Sequence, residues 1–105
     1  MQEKRSHDRF AIQLEIVLVE GETHHQGTTR DLSLGGMFVH TVAPLRFGTE
    51  VTLQLAIGSL KYVGEVPAVV RWKSPGGVGL AFRSLRARDV HALNQLFKSS
   101  RLLAL

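Results

Sequence analysis

The chain contains no cysteine, so it holds neither a disulfide framework nor a thiolate metal site, a composition that fits a reducing compartment. It also has no apolar run approaching the roughly 20 residues that a membrane-spanning helix requires, and its polar opening lacks the apolar core of a secretory signal. Together these absences point to a soluble, cytoplasmic protein with no membrane insertion. No segment is of low complexity and charged residues make up 21% of the chain, which argues against disorder throughout. What is present is enough for one core: 44% of the 105 residues are hydrophobic, and residues 1–105 read as a single domain.

Thirteen Lys and Arg against nine Asp and Glu give a formal net charge of +4, which favours anionic partners without naming one. The excess lies late in the chain, where Arg83, Arg86, Arg88, Lys98 and Arg101 face only Asp89. The N-terminal residues 1–9, with Lys4, Arg5 and Arg9 against Glu3 and Asp8, are nearly balanced. They read as a flexible arm whose arginine spacing is more distinctive than its charge.

From Phe10 to Val19, Phe10, Ile12, Leu14, Ile16 and Leu18 fall on one face with Gln13 and Glu15 on the other, the period of a half-buried strand. Gly21 supplies a turn, and THHQGTTRDL returns as a polar second strand. Met37 to Thr41 forms a short third strand, EVTLQLAI a fourth, Leu60 to Trp72 a fifth and VGLAF a sixth. Pro67 cannot donate to a ladder, so a bulge or an edge is expected there. Short strands joined by hairpin turns over residues 10–83 indicate an antiparallel barrel or sandwich. One helix is expected over 87–101, where Val90, Leu93, Leu96 and Phe97 recur at helical spacing and can cover a barrel mouth.

Asp31, Ser33, Gly35 and Gly36 stand where the second strand ends and the third begins, a position at which a rigid scaffold displays loop residues. Equal parity would point Asp31 and Ser33 to one side. A carboxylate can accept from the edge N–H groups of guanine, a hydroxyl can donate to phosphate, and glycines permit close backbone approach. Arginines complement such a set by pairing with phosphate or with guanine O6 and N7. The same residues also suit a plain turn in which Asp31 and Ser33 bond local backbone.

RSHDR (Arg5 and Arg9) and DLSLGG (Asp31, Ser33 and Gly36), taken in this order with a hydrophobic strand between them and GVGLAF plus a helix after them, resemble the PilZ domains, bacterial receptors for cyclic di-GMP. Their signatures are RxxxR and [D/N]xSxxG, and the resemblance covers nearly the whole chain. It implies a six-stranded antiparallel β-barrel with one C-terminal α-helix. It assigns Arg5 and Arg9 to guanine and phosphate, Asp31 and Ser33 to the ligand from the barrel face, and Gly36 to close backbone approach, with Gly35 beside it read as ligand-binding from the residues alone. Lys4 falls where family members set whether one ligand or a stacked pair binds. Trp72 falls where some members present a ring to guanine, although a half-buried barrel tryptophan would sit there equally well.

The function implied is that of a stand-alone cytoplasmic receptor, with no cofactor beyond its cyclic di-GMP ligand, that relays binding to a protein partner. The alternative is a PilZ-like adaptor in motility or pilus machinery that works without nucleotide. Nucleic acid is disfavoured as a partner because the strand faces lack interleaved aromatic and basic residues. The histidines are scattered and the adjacent His24 and His25 would face apart, which disfavours a metal site. Ser33 has no base beside it in the sequence, so an enzyme is not expected.

Overall fold

In the computed structural model, which describes residues 8–103, six strands and one helix follow in order: β1 (Glu15–Glu20), β2 (Thr23–Leu32), β3 (Gly36–His40), β4 (Glu50–Ile57), β5 (Tyr62–Ser74), β6 (Gly77–Phe82) and α1 (Ala87–Leu103). The strands close into an antiparallel barrel in the order β1-β2-β3-β6-β5-β4. The ring is completed where Val17, Leu18 and Val19 of β1 pair with Gln54, Leu53 and Thr52 of β4. This resolves the choice between barrel and sandwich, which alternation of residues leaves open because both architectures bury one face of each strand.

Ile16, Leu18, Leu53, Leu55, Val66, Val70 and Leu80 point inward, and Leu93 and Phe97 of α1 close the core. Helix docking is fixed at its first turn. Asp89 is only 2% exposed; it accepts from the Tyr62 hydroxyl at 2.6 Å and from the backbone N–H of Arg86 at 2.9 Å. Among the described residues, no helix is long and apolar enough to cross a membrane.

The first strand is shorter than the alternation suggests. Phe10, Ile12 and Leu14 do pack against the core, yet ladder pairing with β2 begins only at Glu15. Between them the buried Thr29 hydroxyl stands in for a ladder: it accepts from Leu14 N at 2.7 Å and donates to Ile12 O at 2.6 Å. Pro67 lies where β5 runs past the end of β6, its carbonyl accepting from Arg83 N at 2.8 Å, so its missing N–H interrupts no central rung. The break in β5 register falls instead between Val70 and Trp72.

Candidate functional site

The DLSLGG segment and the end of the arm meet through two backbone hydrogen bonds. Phe10 N donates to Leu32 O at 2.8 Å, and Leu32 N donates to Phe10 O at 2.9 Å. This bridge sets Arg9 beside Asp31, and Arg9 Nη1 donates to Asp31 Oδ1 at 2.9 Å. The other carboxylate oxygen is taken by a residue outside both motifs: Arg30 Nε and Nη2 each lie 2.9 Å from Asp31 Oδ2. Asp31 is thus shared by two guanidinium groups, its side chain 14% exposed. The segment that reads as a flexible arm is held at its last residue, Arg9, by this ion pair. Lys4 and Arg5 lie outside the described residues.

Two register shifts shape the surface around Asp31. One lies in β2 between Thr29 and Asp31, the other in β5 between Val70 and Trp72. Thr29 and Leu32 are buried while Arg30 and Asp31 both face outward, so the extra residue turns to the outer face a carboxylate that strict alternation would have pointed into the core. Likewise Val70 is buried, and Arg71 and Trp72 are both exposed. Both shifts lead to one rung, in which Asp31 opposes Phe38, Phe38 opposes Gly79, and Gly79 opposes Trp72.

Phe38 joins the two ends of that rung. Its chain neighbours Met37 and Val39 belong to the core cluster, whereas Phe38 does not, yet it is only 1% exposed. Trp72 stacks on it with ring centroids 5.0 Å apart, the Arg30 guanidinium lies 4.0 Å from its ring centre, and His40 meets it edge-on. Trp72 itself lies across Gly79, where any Cβ would strike the indole. One indole face therefore belongs to the barrel, and the ring as a whole stays 42% exposed.

Ser33 and the glycines have structural partners here. The Ser33 hydroxyl accepts from Gly35 N at 3.0 Å and Gly36 N at 3.1 Å, and donates to Gly36 O at 3.3 Å. Because β2 ends at Leu32, strand parity does not extend to Ser33, and it closes its own turn while Asp31 binds arginines. The Gly35 carbonyl accepts from Phe82 N at 2.9 Å. A Cβ at Gly36 would overlap the Leu80 carbonyl oxygen, so strand approach alone demands glycine at that position.

The sequence reading missed Arg30, Phe38 and His40. Phe38 looks like core in a short apolar strand and Arg30 like an ordinary outward strand residue; only the bulge and the cross-strand register bring them to the site. A groove of about 300 Å³ lies elsewhere, lined by Leu60, Lys61, Tyr62, Arg88, His91, Ala92 and Gln95. On the motif surface the available chemistry is a shared carboxylate, two guanidinium groups and an aromatic slab, a set suited to a planar, anionic ligand.

Comparison with known proteins agrees with this fold. The family model described as PilZ domain matches residues 3–99. The alginate biosynthesis protein Alg44 of Pseudomonas putida is 28% identical over 101 residues, which cover 91% of this chain and 26% of that protein. The chain therefore spans about a quarter of that relative's length. Among solved structures, the PilZ domain of YcgR from Escherichia coli with c-di-GMP superposes with a TM-score of 0.77 at 15% identity, covering 97% of this chain and 95% of that one. The Bacillus subtilis inhibitor of motility MotI/DgrA gives 0.76 at 22% identity over 96% of this chain and 53% of that one. The PilZ domain of CeSA from a cellulose-synthesizing bacterium gives 0.67 at 18% identity, covering 85% and 93%.

Proposed function

This chain belongs to the PilZ domain family, and from that premise we propose that it is a receptor for cyclic di-GMP that signals to a protein partner and catalyses no reaction. The observation that carries the reading is the pairing of Arg9 with Asp31, which joins the two signature motifs in one ion pair. A cyclic dinucleotide offers both members better use. Guanine N1–H and its amino group can donate to the carboxylate, and the phosphates can take the guanidinium. Binding is then an exchange of partners in which Arg9 leaves Asp31 for phosphate and the base edge replaces it.

The same geometry supports a route to the partner. Phe10, next to Arg9, stacks on Phe97 of α1 with centroids 4.3 Å apart and planes 10° from parallel. A pull on Arg9 acts on Phe10 and so on the helix that covers the barrel mouth. The surface changed by ligand is then the outer face of α1 together with the arm, and that surface is what a partner in motility or biofilm control would read.

Titration calorimetry tests the reading. Cyclic di-GMP should bind, and cyclic di-AMP should bind far more weakly, because adenine presents the carboxylate with a different pattern and leaves groups unpaired. Arg9→Ala and Arg5→Ala should each weaken cyclic di-GMP binding roughly ten- to a hundredfold. Equal affinity for the two dinucleotides would remove the assignment of Asp31 to the guanine edge. No heat with either would leave the nucleotide-independent adaptor.

A further inference from the structure

Arg30 belongs to neither signature motif, yet it is the added residue of the β2 bulge and is held by more contacts than Arg9. Its guanidinium is held along one edge by Asp31 Oδ2, with Nε and Nη2 both at 2.9 Å, and on one face by Phe38 at 4.0 Å. Phe38 is backed in turn by Trp72. The Arg30 side chain nevertheless remains 49% exposed.

We propose that Arg30 is a base-contacting residue of this site, its pinned guanidinium offering the open face as a platform on which one guanine of cyclic di-GMP stacks beside Asp31. The inference rests on the receptor reading above and adds a residue to it. A guanidinium is planar and weakly hydrated, and bases stack on arginine planes as they do on aromatic rings. Arg30 is fixed before ligand arrives, so less side-chain freedom is lost on binding than a free arginine would lose. Arg9 is placed differently: among the described residues it has no ring beneath it and is held through a single nitrogen to Asp31, which suits it to swing to phosphate. Once Arg9 has left, Arg30 still grips Oδ2 and keeps Oδ1 turned to the base edge. The platform thus also positions the carboxylate that reads guanine.

Titrations of cyclic di-GMP into the wild-type chain, Arg30→Ala and Arg30→Lys separate the possibilities. Both variants should bind about tenfold or more weakly, the scale of one lost base stack. Lysine should not rescue, because an ammonium retains the charge opposite Asp31 and has no plane. Fluorescence of Trp72, the only tryptophan in the chain, gives a second readout: ligand-induced quenching should be small in the wild type, since the base lies on Arg30 and not on the indole. Full affinity in Arg30→Lys would reduce Arg30 to a counter-charge and overturn the platform, as would unchanged binding in both variants or strong quenching of Trp72 in the wild type. Absence of binding by the wild type is a distinct result, which removes the receptor reading itself and the platform with it.

Discussion

Asp31 and Asp89 are both carboxylates held by an arginine close in sequence, yet they do opposite things. Asp89 is buried in the first turn of α1, where its partners are the Tyr62 hydroxyl and the Arg86 backbone N–H as well as the Arg86 guanidinium. Asp31 lies on the outer face of the barrel and its partners are two partly exposed guanidinium groups, one of them at the end of the arm. The first carboxylate satisfies groups that folding has buried, so nothing else can take its place. The second satisfies groups that water or a ligand could satisfy equally well. What separates a structural lock from the proposed binding site here is whether the partners have an alternative, not the residue types.

Substitution should separate them most sharply. Asp89→Ala leaves a buried hydroxyl and a helix-capping N–H unsatisfied and should lower the free energy of unfolding by about 2–4 kcal/mol, read from urea denaturation. Asp31→Ala removes only exposed pairs and should cost less than about 1 kcal/mol, while cyclic di-GMP binding falls at least as far as in Arg9→Ala. Equal loss of stability in the two variants would break the contrast.

The smallest expected effect is the dependence of stability on pH. Burial, and then the hydrogen bond to Asp89, push the Tyr62 pKa up from 10.0 to about 12. Because the folded value is the higher one, the tyrosine's contribution is intact below pH 10 and is lost as the pH rises towards about 12. Burial acts on Asp89 in the raising direction, but hydrogen bonds from Tyr62 and Arg86 outweigh it and hold the carboxyl below its ordinary 3.8. Its contribution is therefore present above pH 3.8 and is lost as the pH falls through that lower folded value. Melting temperatures of the wild type and Tyr62→Phe should converge at high pH; parallel curves would show that the tyrosine is not the group responsible.

The sequence made the strands legible because alternation is local: EVTLQLAI is β4 from end to end, and the inward set of Phe10, Ile12 and Leu14 is correct even where no ladder forms. The helix stripe was equally readable, with Leu93 and Phe97 both buried. The site was legible as motifs and not as a surface. Arg9 and Asp31 could be assigned to one ligand by resemblance, but their contact with each other depends on the Phe10–Leu32 bridge, a long-range pairing that no periodicity encodes. Arg30 and Phe38 stayed hidden because a bulge changes parity at one residue, and parity is what a strand reading assumes.

Closure of the barrel also limits how any partner can be recognised. A sheet with a free edge can accept another chain's strand through its unpaired backbone groups, but β1 is paired with β4 and the ring is complete. Main-chain strand addition would first have to break an existing ladder. Discrimination between partners would therefore fall to side chains, and a surface of that kind can change its specificity by substitution without disturbing the sheet beneath it.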